Sequence, residues 1–149
     1  MPKFKHADRR ELIKGTDTVV KELVSRYHSQ LPREKGTSIG IAYVRYSSHR
    51  QDSVAYQLDE IFSAAVDRGI FIPRENICCD VGSGVTGHSL PGREALKSKL
   101  AAGMADTLLI SSPSRISRRL GEANRFIGDT LVPDGTQLIS IESGRTVHA

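Results

Sequence analysis

The sequence has no tryptophan, only two cysteines and no long run of apolar residues. A helix that spans a membrane needs about 20 consecutive apolar residues, so we expect no membrane segment. The two cysteines, Cys78 and Cys79, are adjacent, and consecutive strand residues point to opposite faces, which makes them poor partners for each other. We therefore expect buried free thiols in a reducing cytosol rather than a disulfide-stabilised secreted domain.

The usual patterns of metal-dependent and hydrolytic enzymes are missing as well. The histidines are scattered, with no HxxxH or HExxH spacing, and the sequence has no CxxC pair. We therefore predict no metal site and no cofactor. No Ser-His-Asp order is recognisable, and the polar, charged N-terminus is unlike a secretory signal.

What remains is the ordinary composition of a globular domain. The chain has 149 residues, of which 38% are hydrophobic and 26% charged, with a formal net charge of +4 at pH 7. This length is enough for one domain with a sizeable hydrophobic core. The positive charge permits an anionic partner such as nucleic acid without requiring one.

Residues 1–36 differ from the rest of the chain in composition. They are rich in charged residues, and their apolar residues have helical spacing: Val19, Val20, Leu23, Val24 and Tyr27. The pattern predicts a helix that Thr16 or Asp17 caps and that Leu31-Pro32 ends. We interpret this N-terminal extension as a helix that lies on the domain. An arm that contacts DNA or a partner is the alternative.

Residues 37–149 alternate between strand and helix patterns. Strands are predicted from Ile39 onward and at 77–81, 106–111 and 137–141, with helices between them at 52–69, 91–102 and 121–132. This order predicts an α/β fold, with a mostly parallel sheet of four to five strands and helices on both faces.

The first predicted strand ends in polar residues. Ile39, Ile41 and Tyr43 lie on one face by the period of two, and Arg45 and Ser47 continue that face. In open α/β sheets, ligands bind at the carboxyl ends of the strands. An arginine and a candidate hydroxyl nucleophile therefore project from one strand end into the expected site.

Further arginines follow the third predicted strand. Arg115 and Arg118 lie in segment 112–120, and because this strand should end beside the first, we expect them to converge with Arg45 near Ser47. One guanidinium group can bind two oxygens of a phosphoryl group at once, and it stays charged at any working pH. The pattern favours phosphoryl transfer by positioning and electrostatics, without a metal. For any single arginine, a solvated basic surface is the alternative.

A glycine-rich loop after the second predicted strand offers a different interpretation. Residues 82–87 match the pattern GxGxxG, but a dinucleotide-binding helix begins inside that motif, so that its N-terminus meets the pyrophosphate. Here residues 88–91 intervene before any helix, and the motif follows the second strand rather than the first. A flexible loop is the better interpretation, and a nucleotide-binding α/β domain is an alternative function.

Four motifs, in order, resemble those of the serine recombinases, the resolvase/invertase family. They are Tyr-Val-Arg-Tyr-Ser at 43–47 with Gln51 and Gln57, Asp-Val-Gly-Ser-Gly at 80–84, Arg-Glu-Ala-Leu at 93–96, and Ser-Arg-Ile-Ser-Arg at 114–118. The resemblance extends over residues 39 to 143 with near-family spacing. It implies a resolvase-like catalytic domain, closest in pattern to the large serine recombinases.

The resemblance implies roles for the matching residues. Ser47 would attack a DNA phosphodiester and form a 5′-phosphoserine link. Four arginines would hold the scissile phosphate: Arg45, Arg93, Arg115 and Arg118. Two polar residues would support the site: Gln51 and Ser83. The other positions that match the motifs are Tyr43, Gln57, Asp80 and Ser114.

The resemblance also implies partners and a setting. Family members cut both strands of two paired double-stranded DNA sites within a tetramer built from homodimers, exchange subunits by rotation and religate, with neither metal nor high-energy cofactor. Such a protein would be a cytoplasmic site-specific recombinase from a bacterium, a phage or a mobile element.

Two departures from the family pattern leave questions open. Many members have aspartate where this chain has Ser114, so the resemblance does not identify the general acid or base. Members also continue into a long dimerisation helix and a DNA-binding domain, whereas this sequence ends at Ala149. We therefore expect an isolated catalytic domain at 37–149 behind the extension at 1–36. The alternative is a non-catalytic module that oligomerises with, or regulates, an intact recombinase.

Overall fold

The computed structural model describes residues 9–33, 38–46, 53–81, 91–112, 120–131, 135–141 and 145–147. The helices are α1 Arg9–Gln30, α2 Ser53–Arg68, α3 Pro91–Ala101 and α4 Leu120–Phe126. The strands are β1 Ser38–Tyr46, β2 Ile70–Phe71, β3 Ile77–Val81, β4 Thr107–Ile110, β5 Gln137–Ser140 and β6 Arg145–Val147. A 3₁₀ turn, Arg74–Asn76, precedes β3, and a π-helical turn, Ile127–Leu131, follows α4. Within these ranges, no helix is long and apolar enough to cross a bilayer.

The sheet is organised around β1. At Ala42, this strand pairs in parallel with Ile77 of β3 on one side and with Leu109 of β4 on the other. Strands β2 and β3 occupy successive stretches of the same edge of β1, so six segments make a sheet five strands wide. Strand β5 is parallel to β4, and β6 is antiparallel to β5. The prediction of a mostly parallel α/β sheet is confirmed.

The two faces of β1 belong to two separate cores. Ala42 and Val44 pack with residues of α1 and α2, whereas Ile41 and Tyr43 pack with residues of α3, α4 and the π-helical turn. This is the alternation that the sequence predicts, with helices on both faces of the sheet. All four side chains have no exposed surface, as expected for a central strand of a parallel sheet.

Helix α1 is part of the core. Its stripe of Val20, Val24 and Tyr27 is buried, and the Tyr27 ring stacks on Phe62 of α2 with centroids 4.4 Å apart. The helix therefore lies on the domain, as we interpreted it from the spacing. Its end at Gln30, just before Leu31, also agrees with the prediction.

Some predicted boundaries are wrong. Helix α1 begins at Arg9 rather than at Thr16 or Asp17, because residues 9–14 are mostly good helix formers, and the helix that they start continues through the cap-forming residues. Strands β2 and β6 were not predicted, since two and three residues are too short to show a period. The helix predicted at 121–132 changes from α to π geometry after Phe126.

Candidate active site at the carboxyl ends of the strands

The carboxyl ends of β1 and β3 lie side by side. Their register places Arg45 opposite Asp80, and both residues are buried, with 5% and 3% of their surface exposed. A buried arginine and a buried aspartate at the ends of neighbouring parallel strands are unusual unless they are paired or hydrogen-bonded. This is the edge of the sheet at which the sequence predicts a site.

The carboxylate of Asp80 joins β1, β3 and α3. Tyr43 on β1 donates its hydroxyl to Oδ2 at 2.6 Å. The backbone N–H of Gly92 donates to Oδ1 at 2.7 Å, and that of Arg93 donates to Oδ2 at 2.8 Å. The carboxylate thus caps the N-terminus of α3 from another strand, where unpaired N–H groups and the helix dipole both favour a negative charge.

The pKa of the Tyr43 hydroxyl is affected by its burial and by three nearby charged side chains. Burial raises the pKa of its hydroxyl far above the ordinary value, and the hydrogen bond and negative charge of Asp80 raise it further. The positive charges of Arg45 and Arg93 act on the pKa in the opposite direction. Tyr43 therefore remains a hydrogen-bond donor at working pH, and arginines from β1 and α3 both lie within electrostatic range of one hydroxyl.

Helix α2 holds the last residues of β1. Gln57 donates its Nε2 to the backbone carbonyl of Arg45 at 3.1 Å, and its side chain is 1% exposed. The resemblance implied only that Gln57 belongs to the first motif. In the structure, Gln57 holds the backbone carbonyl of Arg45, two residues before Ser47.

Gly92 belongs to this site, although the sequence predicts for it only that Pro91 or Gly92 opens a helix. A Cβ atom at this position would lie 2.4 Å from the carbonyl oxygen of Cys79 and 2.8 Å from its carbon. The start of α3 therefore rests directly on the backbone of β3. The sequence did contain a signal of this contact. Glycine inside a helix costs about 1 kcal/mol relative to alanine, so a glycine at the start of a predicted helix indicates a close approach by another segment.

An open groove with a volume of about 220 Å³ extends from Arg93 between α3 and α4. Its lining is mixed in charge and includes one aromatic ring: Arg93, Lys97, Glu122, Arg125, Phe126, Asp129 and Thr130. Across the described ranges, no group of histidine, cysteine or acidic side chains is arranged to hold a metal ion.

Several predicted site residues lie outside the described residues. They are Ser47, Gln51, Ser83, Ser114, Arg115 and Arg118. Their convergence with Arg45 and Arg93 stays a prediction. Strand β4, which leads towards Arg115, does lie beside β1 as expected.

The glycine-rich loop at 82–87 also lies outside the described residues, but the helix after it bears on the nucleotide alternative. A pyrophosphate would need free N–H groups at the N-terminus of α3. The N–H groups of Gly92 and Arg93 are instead bound to Asp80. This arrangement argues against nucleotide binding at that helix.

Comparison with known proteins agrees with the motifs. The family model described as "Resolvase, N terminal domain" matches residues 40–148, while a search of curated proteins finds no match. The fold is similar to the N-terminal catalytic domain of TP901-1 integrase, with a TM-score of 0.63 and 19% identity over 72% of this chain and 80% of that one. It is also similar to the C-terminal catalytic domain of ISC1926 TnpA, an IS607-like serine recombinase, with a TM-score of 0.60 and 19% identity over 69% and 70% of the two chains.

The family match extends over most of the chain, from β1 to β6, and includes every motif that carries the resemblance. The buried residues Tyr43, Arg45 and Asp80, at the carboxyl ends of β1 and β3, lie within the matched range. This chain therefore belongs to the resolvase N-terminal domain family, the catalytic domain of the serine recombinases.

Proposed function

We propose that this domain cleaves and rejoins double-stranded DNA at specific sites, with Ser47 as the nucleophile. One observation carries the proposal: two arginines from separate elements are placed around the same carboxylate. Asp80 lies opposite Arg45 in the sheet register and accepts the backbone N–H of Arg93 at 2.8 Å. The backbone of Arg93 is thereby held near the end of β1, which carries Arg45 two residues before Ser47, and the charges of both arginines act on the Tyr43 hydroxyl.

The chemistry follows from charge and geometry. The Ser47 hydroxyl loses its proton and attacks the phosphorus, the bond to the 3′-oxygen breaks, and that oxygen leaves as a 3′-hydroxyl after taking up a proton. The 5′ end stays attached to Ser47 as a phosphoserine ester, and the reverse reaction rejoins the strand. Negative charge develops on the non-bridging oxygens, which guanidinium groups bind well.

Each arginine has a proposed place in this step. Arg45 and Arg93 bind the non-bridging oxygens from the β1 and α3 sides, and Arg115 and Arg118 complete the binding from the segment after β4. Removal of one well-placed donor of this kind typically slows a reaction by about 10²- to 10³-fold. The phosphodiester energy is kept in the serine ester, so the exchange needs no added energy source.

The proposed partners follow from the reaction. Double-stranded DNA is the substrate, and homodimers that assemble into a tetramer bring two sites together in the bacterial cytoplasm, where the protein is encoded by the bacterium, a phage or a mobile element. The net charge of +4 favours such an anionic substrate.

The test is a covalent capture experiment. The protein is incubated with a library of random duplexes and denatured, and DNA attached to protein is recovered and sequenced. Mass spectrometry after nuclease digestion then locates the modified residue. We expect a nucleotide phosphate on Ser47, and none on protein that carries Ser47→Ala.

The neighbouring serine provides a matched control. Ser48→Ala removes a hydroxyl one residue away and should leave adduct formation unchanged. Equal adduct formation by Ser47→Ala and wild type would overturn the assignment of the nucleophile. Absence of adducts from the wild-type chain would contradict catalysis by this domain and support the non-catalytic module instead.

A further inference from the structure

We propose that Asp80, with Tyr43 and Gly92, is a positioning device that determines where Arg93 stands in the active site. This inference rests on the proposed function and adds to it the means by which one phosphate-binding arginine is placed. Asp80 and Tyr43 act through α3, and neither touches DNA in this scheme.

The burial of Asp80 supports a positioning role rather than a role in proton transfer. Its side chain is 3% exposed, and three donors lie within 2.8 Å of its two oxygens. These hydrogen bonds occupy acceptor positions on both carboxylate oxygens. Among the described residues, its bonds are directed to Tyr43 and to the backbone of α3.

The attachment to α3 is made at two points. Oδ1 takes the N–H of Gly92 at 2.7 Å, and Oδ2 takes the N–H of Arg93 at 2.8 Å. Two bonds to consecutive amides restrict both the translation and the rotation of the first turn. Because one of these amides belongs to Arg93 itself, no other residue separates the point of attachment from the backbone of the arginine that it places.

Gly92 provides a second, independent restriction. The Cβ of any other residue would lie 2.4 Å from the Cys79 carbonyl oxygen and 3.0 Å from the Asp80 Cγ. Real Cβ atoms do not approach a backbone oxygen so closely, so a side chain would push the start of α3 away from β3. Arg93, the next residue, would move with it.

Tyr43 completes the device from the neighbouring strand. Its hydroxyl donates to Oδ2, the same oxygen that accepts the Arg93 N–H. The tyrosine is fully buried and rises from β1 two residues before Arg45. It therefore fixes the orientation of the Asp80 carboxylate relative to β1, the strand that carries Arg45. The backbone of Arg93 is bound to the same carboxylate, so its position relative to Arg45 is fixed as well.

A double-mutant cycle tests this role. Tyr43→Phe and Asp80→Asn are each made in the wild-type protein and in Arg93→Ala, and the rate of Ser47 adduct formation is measured on the duplex recovered in the capture experiment. A misplaced catalytic group costs up to about 100-fold in rate, so we expect a loss of about 10- to 100-fold in the wild-type background. In Arg93→Ala, the same changes should alter the rate by less than about twofold, because no arginine remains to be misplaced.

Tyr27→Phe is the matched control. It also removes a hydroxyl from a buried tyrosine, but that hydroxyl bonds to Ile70 and Ile72, away from α3. Its effect on the rate should be the same in both backgrounds. If Arg93→Ala forms too little adduct to measure, the same cycle is read in the Kd for the duplex, by fluorescence anisotropy.

The outcomes separate this inference from the proposed function. If Tyr43→Phe lowers the rate by the same factor in the wild type and in Arg93→Ala, the positioning role is overturned, while Ser47 remains the nucleophile. Adducts that persist in Ser47→Ala would overturn the proposed function, whatever the cycle shows. Where Asp80→Asn lowers the melting temperature below the assay temperature, Tyr43→Phe alone decides, since it removes one hydrogen bond and leaves the cap on α3.

Discussion

The hydroxyl of Tyr27 on α1 accepts the backbone N–H of Ile72 at 2.9 Å and donates to the carbonyl of Ile70. These two groups lie at β2, on the edge of the sheet beyond β1. The tyrosine hydroxyl thereby makes the two hydrogen bonds that a neighbouring strand would otherwise make with these groups. A residue from the N-terminal helix thus hydrogen-bonds two backbone groups in and just after β2.

Loss of this hydroxyl should destabilise the fold. Tyr27→Phe leaves a buried N–H and a buried carbonyl without the partner they have in the native protein, and such a group costs about 1–3 kcal/mol. We expect the free energy of unfolding, measured by urea denaturation, to fall by about that amount. Tyr56→Phe is the control: Tyr56 is 67% exposed, and its variant should stay within about 0.5 kcal/mol of wild type. Equal stability of the two variants would contradict the role of Tyr27.

Two glycine-to-alanine changes should have opposite effects. Gly92→Ala forces a Cβ against the Cys79 carbonyl, and overpacking of this kind costs about 1–3 kcal/mol. A Cβ atom at Gly121 in α4 would meet no other atom of the described residues within 4 Å, so Gly121→Ala should stabilise the protein by about 0.5–1 kcal/mol. Thermal unfolding of both variants measures the difference, and a tolerated alanine at position 92 would disprove the close approach.

Alkaline pH should lower stability through Tyr27. Burial raises the pKa of its hydroxyl to about 12, although the hydrogen bond from Ile72 lowers it somewhat, whereas in the unfolded chain the value is about 10. The neutral hydroxyl therefore contributes its full stability below pH 10. Between pH 10 and 12 the unfolded state loses this proton while the native state keeps it, so stability falls as pH rises.

The measurement compares urea midpoints at pH 9.5 and pH 11. Tyr27→Phe should lose less stability than wild type between these two values, since it has no hydroxyl to ionise. The exposed Tyr56→Phe should retain the full pH dependence of the wild type. Identical pH dependence in all three proteins would refute the assignment to Tyr27.

Replacement of Gln57 should affect both stability and the active site. Gln57→Leu removes the donor to the Arg45 carbonyl and leaves that buried acceptor with one bond fewer, at a cost of about 1–3 kcal/mol. Because the bond holds the backbone just before Ser47, the rate of adduct formation should also fall. Gln137→Leu, at an exposed position of β5, is the control and should change neither quantity.

Much of the fold could be predicted, because hydrophobic periodicity reports which side of an element is buried. The alternation of Ile41 and Tyr43 with Ala42 and Val44 identified a central strand with two covered faces, and the structure divides these residues between two cores. Helix α2 stops at Gly69, whose φ of 69° suits glycine. The short segments β2 and β6 could not be predicted in this way, since a period needs more residues than they have.

The candidate site was predicted in part. Arg45 at the end of a buried strand, with Ser47 two residues later, predicted a site at the carboxyl edge of the sheet, whereas Asp80 and Arg93 were indicated only by the family resemblance. The sequence by itself determined the class of fold, the edge of the sheet at which the candidate site lies and the residue types available there.

Only the tertiary structure decided how these residues are held. Asp80 caps a helix that begins eleven residues later in the chain, Gly92 rests on the backbone of β3, and Tyr27 replaces a strand at β2. Each of these contacts joins segments that are distant in sequence. Periodicity records only the average environment of a face, whereas a hydrogen bond between two elements depends on the register and approach that packing alone sets.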